Sequence, residues 1–143
     1  MIGLDTNVLV RYFVQDDEAQ AALATELVAS LSAESPGYVS VVSLAELSWV
    51  LARSYGFDRE RVASAVQALL DSREIVVDRA DAVRRALATY RATNADLADR
   101  LIERGGAEAG CTATVTFDVR ASRDAGMRLL GPAPAAPADP TPV

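Results

Sequence analysis

Short β-branched or aliphatic runs, each too brief to make a helix, alternate along this chain with longer segments of helical periodicity. That alternation constrains the fold more than any other feature. Parallel strands need crossover connections, usually helices, and the helices then cover both faces of the sheet. The first run, Ile2-Gly3-Leu4, leads through the polar triplet Asp5-Thr6-Asn7 into an apolar helical face, Val8-Leu9-Val10, that reaches Tyr12 and Phe13. Further strands are expected at 38–42, 74–78, 112–117 and 127–130, and further helices at 19–33, 43–55, 59–72, 80–93 and 96–104. Leu23, Leu27 and Leu31 form an apolar stripe on the second helix, and Ser35-Pro36-Gly37, Gly56 and Gly105-Gly106 supply stops. The reading is a single α/β domain over 1–130, with a mostly parallel central sheet of four to five strands flanked by helices. From Gly131 to Val143 the chain is Pro- and Ala-rich with almost no large apolar side chain, so a disordered tail is expected there.

What the sequence lacks narrows the chemistry. It has no histidine, and all 14 basic residues are arginine. A histidine general base, a Ser-His-Asp triad, a phosphate-loop lysine and a Schiff base are therefore excluded. One cysteine cannot form an internal disulfide or, without imidazole, a structural zinc site. The N-terminus lacks the basic and apolar regions of a secretory leader, and no apolar run approaches the ~20 residues needed to span a bilayer. The expectation is a cytoplasmic protein. Its chemistry is left to carboxylates, hydroxyls, arginines or Cys111, and carboxylates suit hard cations such as Mg²⁺ or Mn²⁺. A net charge of −6 weighs against a nucleic-acid partner unless several acids are gathered on a metal ion.

Asp5, Glu46, Asp99 and Asp118 lie at or near the ends of these elements. Asp5 follows the first strand, Glu46 lies in the first turn after the second, and Asp118 ends the fourth. Asp99 sits in the preceding helix, with Asp96 one turn earlier on roughly the same face. Strand ends of a parallel sheet share one edge, where open α/β sheets hold their ligands, so Asp5, Glu46 and Asp118 are expected to converge. Clustered carboxylates repel unless a cation compensates them, which makes this a metal-site reading. Each acid has a purely structural reading too. Asp, Thr and Asn all cap helices, and Ser43-Leu44-Ala45-Glu46 matches a capping box. Asp96 is a good N-cap, Asp118 suits the turn after its strand, and Cys111 reads as a small buried hydrophobe.

Ile2-Gly3-Leu4-Asp5-Thr6-Asn7-Val8-Leu9 resembles the opening of PIN-domain ribonucleases, above all the VapC toxins of bacterial toxin–antitoxin pairs. Val42-Ser43-Leu44-Ala45-Glu46-Leu47, Asp96-Leu97-Ala98-Asp99-Arg100-Leu101-Ile102 and Val115-Thr116-Phe117-Asp118 match in the same order, and Gly126-Met127-Arg128-Leu129-Leu130 looks like the last strand. No single motif is specific; their order and spacing over residues 1 to about 130 carry the resemblance. It implies that Asp5, Glu46, Asp99 and Asp118 are the catalytic acids and ligands of Mg²⁺ (or Mn²⁺), with Asp96 auxiliary. Thr6, Asn7 and Thr116 match positions that hold the acids or touch phosphate. Glu103-Arg104 departs from the small residues often found after the site helix, which bears on substrate fit.

The implied function is metal-assisted hydrolysis of RNA phosphodiesters by the toxin component of a type II toxin–antitoxin system. RNA is then the substrate, a cognate antitoxin is the partner, and a homodimer is the expected assembly. Arg11, Arg53, Arg100, Arg120 and Arg123 stand near the site in sequence and are candidates to steer RNA. The alternative is a catalytically silent PIN-like module that binds RNA or protein. A haloacid-dehalogenase-like phosphatase, which also opens on a strand ending in Asp, looks for a second Asp two residues on and a later lysine. Here that position is Asn7, and there is no lysine.

Overall fold

The computed structural model describes residues 1–131. In chain order the first half runs β1 (Ile2–Gly3), α1 (Thr6–Val14), α2 (Glu18–Ser30), β2 (Gly37–Val39), α3 (Val41–Tyr55) and α4 (Arg59–Asp71). The second half runs β3 (Ile75–Val77), α5 (Ala80–Ala92), α6 (Leu97–Glu108), β4 (Val115–Thr116), α7 (Val119–Asp124) and β5 (Arg128–Leu129). The sequence-predicted tail lies outside the described residues except for Gly131.

The class is α/β and every strand pairing is parallel, but the sheet is divided. β1, β2 and β3 form a three-stranded sheet in that order, while β4 and β5 form a separate pair. The expected single sheet of four to five strands is thus a larger and a smaller one. Asp118 consequently stands at the end of a strand in the small sheet and does not share an edge with Asp5.

The helices begin where short polar side chains satisfy otherwise orphaned amides. Asp17 Oδ1 accepts from Gln20 N, Asp58 Oδ1 from Arg61 N and Asp96 Oδ1 from Ala98 N. Ser40 Oγ does the same for Ser43 N, at 3.0 Å, and this changes the reading of 38–42. Val41 and Val42 are β-branched and look like strand, yet Ser40 turns them into the first turn of α3. Glu46 then lies beyond the first turn, so the capping box expected at Ser43–Glu46 does not form. The glycines expected to stop the helix after Arg104 lie inside α6 instead. A Cβ on Gly106 would stand 2.6 Å from Thr114 Oγ1, so the bare backbone is what lets the chain after α6 return against it. The run 112–117 contributes only Val115 and Thr116 as strand, and the stretch expected to be a polar turn, 119–126, contains α7.

The main core gathers around fully buried Leu9, Val39, Leu44, Leu47, Leu51, Val66, Val83 and Leu87. Of the expected leucine stripe, Leu27 and Leu31 pack against this core but Leu23 is 67% exposed, and the buried residues of α2 are Ala21 and Ala24. Small side chains let α2 approach α1 closely, and Leu23 projects outward. A second, much smaller core of Ala95, Ala121, Ala125 and Met127 sits under β4, α7 and β5. Between the two, buried Arg100 donates from Nη1 to Ala125 O at 2.5 Å and lies 3.7 Å from Glu103. Cys111, expected to be buried, is exposed, because it follows the left-handed Gly110 in the turn leaving α6.

The capping assignment is testable by urea denaturation. Ser40→Ala should cost about 1 kcal/mol, the usual loss for an N-cap hydroxyl. Ser43→Ala, which removes only a contact between hydroxyls, should cost less.

Candidate active site

The acids fall into two groups. At the end of β1, Asp5 is the N-cap of α1, and its Oδ1 accepts from Thr6 N at 2.9 Å. The Thr6 side chain is buried and donates from Oγ1 to Glu46 Oε2 at 2.7 Å. Thr6 therefore ties α1 to α3 and joins Asp5 and Glu46 through one residue. Asn7 does not join them; it is exposed and lines a groove between α1 and α2 with Val8, Arg11, Gln20, Leu23, Ala24 and Leu27.

The second group shares a cavity of about 270 Å³. Asp96 and Asp99 reach it from the N-terminus of α6, and Asp118 from the N-terminus of α7. Asp118 is held firmly. Its Oδ1 accepts from Arg120 N and Ala121 N at 2.8 and 3.2 Å, and its own amide donates to Thr116 Oγ1 at 3.0 Å. Thr116 thus holds the backbone of Asp118. Asp5 and Glu46 do not line this cavity. Glu46 is one turn from it: Trp49 lines the cavity, and Glu46 precedes Trp49 by three residues on α3, about 4.5 Å along the helix axis.

The charges in the cavity are unbalanced around Asp99. Burial pushes its carboxyl above the ordinary aspartate value; Asp96 and Asp118, both negative, push it further, and only Arg120 opposes. Of the arginines singled out in the sequence, three have other duties. Arg11 binds Asp16, Gln20 and Tyr55, Arg100 is buried under α7, and Arg123 pairs with Asp124. Arg53 and Arg120 line the cavity. So do Trp49, Phe57, Arg59 and Tyr90, which the sequence reading did not single out as site residues. One signal was available: Trp49 and Arg53 continue the helical stripe that begins at Glu46.

A family model for the PIN domain matches residues 2–126. The chain belongs to the PIN-domain family. No curated protein matches it in sequence. The PIN domain is generally a nuclease fold, and its members commonly use divalent metals such as Mg²⁺. In this PIN domain the donor chemistry fits such an ion. The cavity offers hard carboxylate oxygens, and Asp99 bears a repulsion that a cation would relieve. Among the described residues no three acidic, histidine or cysteine side chains gather closely enough to hold a metal together. Mg²⁺ does not need such a cage: it keeps several waters and is usually bound through one or two carboxylates and the substrate's phosphate.

The raised Asp99 carboxyl has a consequence for stability. The folded chain holds this proton more tightly than the unfolded chain does, so stability falls as pH rises from the unfolded value, about 3.9, through the folded one. Asp99→Asn should therefore be more stable than the parent at pH 7, by about 0.2–0.5 kcal/mol, the scale of a like-charge pair at helical spacing. The advantage should shrink as pH falls toward 4. Urea midpoints at the two pH values measure it.

Proposed function

We propose that this PIN domain is an Mg²⁺-dependent endoribonuclease and the cytoplasmic toxin of a type II toxin–antitoxin pair, cutting RNA at the acids of its α6–α7 cavity. The observation that carries the proposal is the convergence of Asp96, Asp99 and Asp118 on one cavity that Arg53, Arg59 and Arg120 also line. Acids that attract a divalent cation, beside guanidinium groups that attract phosphate, suit a phosphodiester substrate.

Asp99 and Asp118 would hold the ion, with Asp96 beside them and Asp5 and Glu46 approaching from the α1–α3 side. A bound Mg²⁺ supplies charge neutralisation for the attacked phosphate and its leaving oxygen. The protein's own part is positional. Thr116 and the α7 amides keep Asp118 in one orientation. Thr6 occupies one oxygen of Glu46, which leaves the other to orient the attacking water. No side-chain base of the histidine type is required, in keeping with a chain that has none.

The partners in this reading are an antitoxin and a second copy of the chain. The α1–α2 groove, floored by Val8, Ala24 and Leu27 and edged by exposed Leu23, supports the first. Size-exclusion chromatography with and without a co-expressed small partner would test both, and a persistent monomer that retains no partner counts against them.

Asp99→Asn and Asp118→Asn should each lower Mg²⁺-dependent RNA cleavage at least about 100-fold, the loss seen when support for a metal site is removed. Circular dichroism should remain unchanged. Asp5→Asn should do the same and should also relieve the growth arrest caused by expressing the chain alone. RNA that stays intact with the parent protein in Mg²⁺ and in Mn²⁺ would favour the silent binding module instead. Mg²⁺ should also raise the parent's melting temperature, by the equivalent of about 2.7 kcal/mol at 100 times its dissociation constant. Asp99→Asn should lose most of that rise.

A further inference from the structure

The acidic cavity has a second wall that the metal chemistry leaves unused. Trp49, Arg53, Phe57, Arg59 and Tyr90 form it, and its cations are not equivalent. Arg59 lies over the Tyr90 ring at 3.9 Å and donates to Tyr90 O and Thr93 O at 2.6 and 2.8 Å, so it is tied to the backbone. Arg120 donates to Asn94 O at 3.4 Å. Arg53 differs from both. Its guanidinium lies over the Trp49 ring at 4.1 Å, and among the described residues it donates no hydrogen bond and pairs with no carboxylate. Trp49 is itself 49% exposed although it is the largest apolar side chain in the protein, and its indole N–H likewise has no acceptor among the described residues.

We propose that Trp49 and Arg53 form a subsite for one unpaired nucleotide of single-stranded RNA, adjacent to the phosphate that is cut. The base stacks on the indole, and the guanidinium takes the phosphate of that nucleotide. This inference rests on the nuclease reading and names the state of its substrate.

The chemistry of the wall selects the ligand. A half-exposed indole beside a guanidinium whose hydrogen-bond donors are open is the combination that binds single-stranded nucleic acid, where every base offers a face for stacking and every linkage a phosphate for arginine. A paired RNA helix keeps its base faces stacked inside and presents phosphates, 2′-hydroxyls and edges, so it has nothing to lay on Trp49. The placement also suits cleavage. Glu46, Trp49 and Arg53 follow one another along one face of α3 at spacings of three and four residues, so a nucleotide held by the last two has its neighbouring linkage within reach of the acids. An acidic chain of net charge −6 needs a local cation to receive RNA, and Arg53 is the one at this site with its donors open.

Trp49 is the protein's single tryptophan, so its emission reports on the subsite directly. The experiment titrates the full chain with a short single-stranded oligoribonucleotide, in EDTA to prevent cleavage, and with the duplex of the same sequence. Quenching of the emission by the single strand and not by the duplex is expected; equal quenching by both, or none by either, overturns the proposal. Binding followed through a label on the oligonucleotide should weaken roughly 5- to 150-fold in Trp49→Leu, the range for one stacked base, and recover in large part in Trp49→Tyr. Arg53→Gln should lower the slope of log K against log salt by about 0.7, the change for one phosphate contact on a single strand. Unchanged affinity in Trp49→Leu, with its circular dichroism intact, also overturns it. The nuclease reading fails separately. Selective quenching by single strands in a protein that never cuts RNA in Mg²⁺ or Mn²⁺ would leave the subsite standing and remove the cleavage. Mg²⁺-dependent cleavage with the same KM in the parent and Trp49→Leu would leave the nuclease and remove the subsite.

Discussion

Burial of Leu44, Leu47 and Leu51 along one side of α3 is the interaction on which the arrangement of this molecule depends. The three are fully buried and lie at helical spacing, and each contributes about 1.5–3 kcal/mol by leaving water. α3 packs against α1, α4 and α6, so fixing its rotation fixes what each of those helices faces. The stripe of Glu46, Trp49 and Arg53 is offset from the leucines by two residues, roughly 200° around the helix. Once the leucines are inside, that stripe must face out between α1 on one side and α6 on the other. The hydrophobic face of a single helix thereby sets the direction of an acid, an aromatic ring and a cation.

The acids are gathered by backbone ends more than by the sheet. Asp5, Asp96 and Asp118 are all N-caps, and Asp99 lies in the first turn of its helix. Helix N-termini favour negative charge, which offsets part of the cost of bringing carboxylates together in an acidic chain. The same residues therefore serve as caps and as candidate ligands, and the two readings of each are compatible. Where a cap is already engaged, as with Asp118 Oδ1, the donor amides also fix the orientation of the carboxylate.

Much of this was legible in the chain. The alternation of strand and helix gave the class, Asp58 and Asp96 announced the starts of α4 and α6, and Asp16 or Asp17 announced that of α2, where Asp17 is the cap. The misreadings have local causes. Val41 and Val42 carry β propensity, but a serine just before them offers the amide of Ser43 a partner, and the cap prevails. Gly105 and Gly106 look like a stop, yet both lie within α6, and the bare backbone of Gly106 is what admits the close approach of Thr114. The separation of β4 and β5 from the larger sheet has no sequence signal, because register between distant strands is a tertiary outcome. The aromatic wall was hidden for the same reason: Trp49, Phe57 and Tyr90 look like ordinary helix or loop residues until α3, α5 and α6 come together.

The small β4–α7–β5 unit carries Asp118, and it is held to the rest lightly. Its own core is three alanines and a methionine. One of its fastenings, the Arg100 bond to Ala125 O, comes from a buried cluster in which Arg100 Nε, Glu103 Oε2 and Arg104 Nε have no hydrogen-bond partner among the described residues. Regions with little buried apolar surface open at lower free energy than the body they attach to. On warming, this corner should fray while the leucine-packed helices stay intact, and a fraying corner takes Asp118 away from Asp99. The temperature ceiling for the cavity's chemistry is then set by a few ångströms of loosely anchored backbone, well below the point at which the protein as a whole comes apart.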